Sequence, residues 1–340
     1  MTDIPLTAAY VHGAVSIETR DGGLRPWRLP HARRRLFPPD GEVVARAQHP
    51  AGVRLRLRTD SPRVRLRVDR SETPDEEVQT FDLVIGDALR ATAALAPGES
   101  EVVFDDLPGE PIRAARPITV DIYLPVFGAL TLCGLSVADG AACAPAEDAR
   151  PRWIAYGSSI TQCRAAHSPA RAWPALAARL RGLNLTCMGF GGNCHMETMV
   201  AMTIRDLPAD VITLKLGVNM HGGSYAPRTF AAQAIGFVRT VRQGHPHTPI
   251  AVISPIANVA MEHTPGATGM DLAMMREQLA DAVSRLADCG DDNVHYVDGR
   301  ELFGEDLCAD YLPDAVHPTG DGYEIIGRNA AEKLLPALGF

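Results

Sequence analysis

The stretch Trp153-Ile154-Ala155-Tyr156-Gly157-Ser158-Ser159-Ile160-Thr161 decides the fold of the second half of this chain. Trp153–Tyr156 is an apolar run without polar alternation, and it stops at a Gly-Ser-Ser turn. Such a run suits a strand buried on both faces, as in a parallel sheet. Further apolar runs lie at Leu185–Met188, Val211–Leu216, Ile250–Ile253 and Val294–Val297. Helical patterns alternate with them, clearest at Ala170–Leu180, Phe230–Val241, Met270–Ala287 and Tyr323–Leu335. Strands alternating with helices predict a parallel sheet covered on both faces, hence an α/β domain. Sites in such sheets form at the carboxyl ends of the strands, and Ser159 falls at one.

Upstream the rhythm differs. Val53, Leu55 and Leu57 alternate with Arg54, Arg56 and Arg58, and Val64, Leu66 and Val68 alternate with Arg65 and Arg67. The turn Asp60-Ser61-Pro62 separates the two runs. A period of two with one charged face predicts half-buried antiparallel strands. More strands are predicted at Phe81–Ile85, Ala91–Leu95, Glu101–Phe104, Thr119–Leu124 and Leu130–Val137, each bounded by Gly, Pro or Asp. Regularly spaced short strands without helical patterns predict a β-sandwich of jelly-roll type. Ala141–Arg152, with two prolines and little periodicity, reads as a linker. The expected organisation is therefore a sandwich domain over residues 1–145 and an α/β domain over 150–340.

A chain of 340 residues with 46% hydrophobic and 22% charged residues can enclose a water-excluding site. The net charge of -8 argues against nucleic acid as a partner. Arg33-Arg34-Arg35, between prolines, reads as a solvated loop. Seven cysteines without C-x-x-C spacing suit reduced thiols rather than a disulfide framework or a zinc site. With no signal-peptide pattern and no apolar run near 18 residues, the expectation is a soluble cytoplasmic protein without a membrane partner.

Three further groups accompany Ser159. Asp314 and His317 lie three apart before the final helical pattern; a serine needs a base, and the base an orienting acid. Gly189-Phe190-Gly191-Gly192-Asn193 follows the second strand, and Asn219 follows the third. A glycine N–H and an asparagine amide can each donate to a developing oxyanion. Singly, each has a plain structural reading: ordinary turn chemistry, a loop aspartate before the cap at Thr319, glycines at positive φ, an asparagine closing a turn. Position 161 is Thr, so the G-x-S-x-G elbow is excluded.

Together, and in this chain order, these blocks resemble the SGNH (GDSL-like) hydrolase superfamily over about residues 150–340. Phe81-Asp82-Leu83-Val84, Tyr123-Leu124-Pro125 and Lys215-Leu216-Gly217-Val218-Asn219 extend the resemblance to esterases with an N-terminal GxDLY-like β-sandwich domain. The resemblance implies a flavodoxin-like α/β domain with Ser159 as nucleophile, His317 as base and Asp314 as its orienting acid. It also implies an oxyanion hole of Ser159 N–H, Gly192 N–H and the Asn219 amide, with no metal or cofactor. Two departures stand out: Ser158 where the family commonly has Asp, and Cys187 where it often has Asn. The first leaves the triad intact; the second puts supporting hydrogen bonds in doubt.

The implied activity is that of a serine esterase acting on a small-molecule or carbohydrate ester, such as an acetyl ester, through an acyl-serine. An acyltransferase with the same triad and a non-catalytic carbohydrate-binding protein are the alternatives. His195 and Glu197 are candidate substrate-binding residues just after the glycine loop, with a helix N-terminal role as the other reading. Cys194 reads as a structural thiol, His245-Pro246-His247 as a surface loop, and Met270, Met274, Met275, Trp173 and Phe237 as core. Homo-oligomerisation is left open.

Overall fold

The computed structural model describes residues 1–39, 42–73, 77–107 and 117–340. They divide into two compact units. The first comprises Met1–Ala32, Ala47–Arg150 and Ser168–Ala170; the second comprises Arg33–Arg46, Pro151–His167 and Arg171–Phe340.

The first unit is an antiparallel β-sandwich. One sheet runs Ser16–Arg20, Gly23–Trp27, Thr131–Val137, Val64–Asp69, Glu101–Phe104, with Thr2–Ile4 also paired to Thr131–Val137. The other runs Cys143–Pro145, Arg54–Thr59, Ile118–Tyr123, Gln79–Ile85, Ala88–Leu95, with Val11–His12 on Arg54–Thr59. The alternating apolar positions of both sheets meet in one core: Leu55, Leu57, Phe81, Val120 and Ile122 pack with Leu66, Val68, Val102, Leu132 and Leu135. Each such side chain removed from water contributes about 1.5–3 kcal/mol.

The charged face is not uniformly solvated. Arg54 is fully buried and pairs with Asp148, Nη2 to Oδ2 at 2.6 Å, while Arg150 reaches the same oxygen at 2.5 Å. Desolvation opposes ionisation of Asp148, but Arg150 and Arg54 outweigh it and hold the carboxyl well below the usual range. The expected linker is thus partly structural: Cys143–Pro145 is an edge strand, and Asp148 closes over Arg54. Proline is tolerated there because an edge strand leaves donors unused. Asp82 accepts from Thr92 Oγ1 at 2.5 Å and from the Ala170 N–H at 2.7 Å.

The second unit holds five parallel strands: β1 (Arg152–Gly157), β2 (Asn184–Gly189), β3 (Val211–Lys215), β4 (Ile250–Ile253) and β5 (Val294–Val297). Their order is β2-β1-β3-β4-β5, the flavodoxin-like arrangement, and every residue of β3 and β4 is buried. The main helices are α1 (Trp173–Leu180), α2 (Thr198–Asp206), α3 (Phe230–Arg242), α4 (Leu272–Asp288) and α5 (Gly320–Asn329). Chain order reverses between β1 and β3, so their carboxyl ends open the crevice in which such sheets place ligands. Ser159 follows β1 and Asn219 follows β3.

Several elements differ from expectation. α1 begins at Trp173, after a 3-10 turn at Pro169–Arg171, with Pro174 in its first turn, where the missing N–H costs nothing. α5 starts at Gly320 behind the Thr319 cap and continues as π-type turns over Ala330–Leu334. His31–Leu36 is a 3-10 helix with Arg33, Arg34 and Arg35 exposed. His245-Pro246-His247 lies in the loop after α3 with Pro246 and His247 exposed, but the His245 side chain is buried, its Nε2 2.9 Å from the Ile204 carbonyl. Trp173, Phe237, Met270 and Met275 are buried as expected. Among the described residues no helix is long and apolar enough to cross a membrane.

Candidate active site

Ser159 opens a one-turn helix, Ser159–Gln162, directly after β1. Its N-cap is Ser158, whose Oγ accepts from the Ile160 N–H at 3.3 Å. Serine and aspartate are comparable N-caps, so the departure at 158 keeps this contact. Trp173 Nε1–H donates to the Ile160 carbonyl at 2.9 Å, and the Cys187 thiol donates to the Thr161 carbonyl at 3.5 Å. Cys187 therefore still supplies a hydrogen bond beneath the turn.

Ser159 Oγ lies 2.8 Å from His317 Nε2. On the far side of the ring, Nδ1 is 2.6 Å from Asp314 Oδ2. The second carboxylate oxygen accepts the backbone N–H groups of Val316 (2.9 Å) and His317 (2.6 Å). Desolvation opposes ionisation of Asp314, yet the bonds from His317 and Val316 hold its carboxyl down to about 2. An ionised Asp314 accepts from Nδ1–H, which leaves the Nε2 lone pair facing the serine hydroxyl. Ala315, between them, has φ 61, and Asn258 Nδ2 donates to its carbonyl. That bond secures the left-handed turn that folds Asp314 back onto His317.

The glycine loop follows β2. The Gly191 N–H is taken by Gln162 Oε1 at 2.8 Å, tying the loop to the serine turn. The Gly191 carbonyl accepts from Arg46 Nε at 3.1 Å and Asn193 Nδ2 at 2.7 Å. After β3, Gly217 has φ 122, a conformation open to glycine, and the turn Val218–Gly222 carries Asn219. Asn219 Oδ1 accepts the Cys194 N–H at 3.1 Å, which directs its NH₂ away from that backbone.

His195 and Glu197 are placed differently from each other. His195 Nε2 is 3.0 Å from the Gly192 carbonyl, and its Nδ1 is 2.5 Å from Ser224 Oγ. Glu197 is the N-cap residue of α2 without a side-chain capping bond. Its Oε2 instead accepts from the Tyr156 hydroxyl at 3.0 Å and the His195 N–H at 3.3 Å. Burial pushes its carboxyl above the usual range despite those bonds. Tyr156 stacks on Phe237, ring centroids 5.2 Å apart. Burial pushes the Cys194 thiol up to about 12, so it is no thiolate at neutral pH.

One group with spacing suited to a cation, His167, Asp321 and Glu324, occurs among the described residues. It is mostly exposed, and Arg171 and Arg328 already neutralise Glu324. It reads as an ion-pair cluster. The residues that sequence reasoning missed are Gln162, Arg46, Asn193 and Asn258. Gln162, Arg46 and Asn258 carry no local signal, because each acts through a contact made by tertiary closure, whereas Asn193 reaches Gly191 within its own loop, two residues away.

Compared with known families, residues 151–331 match the GDSL-like lipase/acylhydrolase family, and residues 9–133 match the N-terminal domain of SsfX3. Among solved structures, the salicylyl-acyltransferase SsfX3 from a tetracycline biosynthetic pathway is 34% identical at TM-score 0.87, over 99% of this chain and 98% of that one. A GDSL-like lipase candidate from Bacteroides ovatus ATCC 8483 is 23% identical at TM-score 0.74, over 97% and 94%. A family two carbohydrate esterase from Clostridium thermocellum is 13% identical at TM-score 0.64, over 85% and 93%. The last two similarities speak to fold alone. No curated protein matches the sequence.

Proposed function

This chain belongs to the GDSL-like lipase/acylhydrolase family, and from that premise we propose that it cleaves a carboxylic ester through an acyl-Ser159 intermediate. The observation that carries the proposal is the continuous chain Ser159 Oγ–His317–Asp314, with links of 2.8 and 2.6 Å. His317 Nε2 takes the hydroxyl proton as Ser159 Oγ attacks the acyl carbon. The carbonyl oxygen becomes an oxyanion received by the Ser159 N–H, the Gly192 N–H and the Asn219 NH₂. Collapse returns the double bond and expels the alcohol, which takes the proton from His317. Water, deprotonated by the same ring, then attacks the acyl-serine and releases the acid.

A second reading is favoured by the similarity to SsfX3 over nearly the whole of both chains. Here an alcohol or amine replaces water in the second half-reaction, and the acyl group is transferred. Both readings share the first half-reaction, and the substrate class in either case is a small ester, with a short acyl ester of a sugar or metabolite as the first candidate.

The test is a fluorophosphonate probe and p-nitrophenyl acetate, applied to wild type and Ser159→Ala. Labelling and acetate release in the wild type, both lost in the variant, are the expected result. Labelling that persists in Ser159→Ala assigns the wrong serine, and a wild type inert to both reagents points back to a binding protein. Product analysis with added alcohols and amines then separates hydrolysis from transfer.

A further inference from the structure

The N–H of Gly192 and the carbonyl of Gly191 belong to the same peptide unit. In a planar trans peptide the two point in opposite directions, so whatever anchors the Gly191 oxygen also aims the Gly192 N–H. Two side chains converge on that oxygen: Arg46 Nε at 3.1 Å and Asn193 Nδ2 at 2.7 Å. On the other edge of Gly191, its own N–H is tied to Gln162 Oε1 at 2.8 Å. The site is close at hand. A Cβ built on Gly191 would lie 3.6 Å from Ser159 Cβ and 3.8 Å from Arg46 Nε.

We propose that Arg46, with Asn193, is a positioning residue that aims the Gly192 N–H at the developing oxyanion by anchoring the Gly191 carbonyl. This rests on the reading of Ser159 and Gly192 given above. In this role Arg46 acts through the Gly191 carbonyl and not on the reacting atoms. Its contribution has two parts, one geometric and one electrostatic. A guanidinium on the carbonyl oxygen polarises the peptide, which makes the N–H at its other end a stronger donor. The following peptide is fixed as well. The Gly192 oxygen only accepts, so His195 Nε2 carries the hydrogen, and in the neutral ring Nδ1 accepts from Ser224. The Tyr225 hydroxyl holds the His195 carbonyl at 2.8 Å. The loop is therefore held at both carbonyls flanking the peptide bonds of Gly192.

The experiment compares Arg46→Met, Arg46→Lys and Asn193→Ala with wild type in p-nitrophenyl acetate turnover and fluorophosphonate labelling rate. Methionine keeps the apolar stem and removes the donor. Misdirecting a preorganised donor costs about 10–100-fold. Arg46→Met should lower kcat and the labelling rate by about that factor while KM stays within about threefold. Arg46→Lys should recover part of the loss, because its ammonium still donates. Combining Arg46→Met with Asn193→Ala should give a loss different from the product of the single losses, since both act on one oxygen. A wild-type kcat and labelling rate in Arg46→Met overturns the inference, as does a change confined to KM, which would make Arg46 a substrate contact. If Arg46→Met does not fold, Asn193→Ala at wild-type rate overturns it alone. Failure of the underlying reading looks different: Ser159→Ala would keep its label.

Discussion

Asn219 offers two chemistries on one side chain. Its oxygen accepts the Cys194 N–H at 3.1 Å, so the NH₂ is the group left to serve an oxyanion. This permits a cleaner test than truncation. Asn219→Asp keeps the acceptor for Cys194 but replaces the donor with a negative charge beside the forming oxyanion. Removing one such donor costs about 10²–10³ in turnover, and Asn219→Asp should lose at least that much. Asn219→Ala should lose a similar factor and also melt at a lower temperature, because it strands the Cys194 N–H. Turnover of both variants and their melting temperatures check this; near-wild-type turnover in Asn219→Asp would remove Asn219 from the oxyanion hole. The sequence picks out Ser159, His317, Asp314, Gly192 and Asn219 because each sits in a short block at a strand or helix end. It is silent on Gln162, Arg46 and Asn258, whose partners Gly191 and Ala315 lie 29, 145 and 57 residues away.

The unit that presents the nucleophile is the pairing of β2 with the turn after β1. Gly189 ends β2, and a Cβ there would come within 2.3 Å of the Gln162 nitrogen and 2.5 Å of the Thr161 carbonyl carbon. Both are backbone atoms, so no side-chain rotation relieves the clash. Gly189→Ala must therefore push the Ser159–Gln162 turn off the strand. Overpacking of this kind costs about 1–3 kcal/mol. Because Gln162 also holds the Gly191 N–H, the same shift disturbs the glycine loop. We expect a lowered melting temperature together with a slowed fluorophosphonate reaction; full reactivity in a stable Gly189→Ala protein would show that the turn has room to move. Strands were legible at this scale because unbroken apolar runs need no partner to be seen. α2 was not: its cap position holds Glu197, which makes no capping bond, and Met196 before it sits at φ 53. Neither gives a helix start signal. The strand Cys143–Pro145 was hidden by its proline, which reads as a breaker until an edge is available.

At the scale of the molecule, the two-part architecture could be read from the change of period near residue 150, since burial on one face and burial on two faces leave different patterns. The return of Arg33–Arg46 to the second unit could not, because composition shows where a segment lies in the chain and not where it packs. The closed core of that second unit carries a further consequence in Lys215, at the end of β3 and 3% exposed. Burial lowers its ammonium from 10.5 to about 8, with Arg276 adding to the effect. The unfolded chain therefore binds the extra proton between about 8 and 10.5, and the folded protein does not. Stability rises with pH wherever the unfolded state holds more protons, so the penalty from this lysine is complete below pH 8 and shrinks above it. Lys215→Met removes the penalty and keeps the volume of the stem. The variant should be more stable than wild type at pH 7, by about 1–3 kcal/mol. The gap should narrow as pH rises from 8 to 10. Other titrating groups, including the buried thiols, are common to both proteins and cancel in the difference. Urea midpoints for both at pH 7 and pH 9.5 decide the matter. A difference that does not change with pH would mean that Lys215 keeps its proton in the folded core throughout this range.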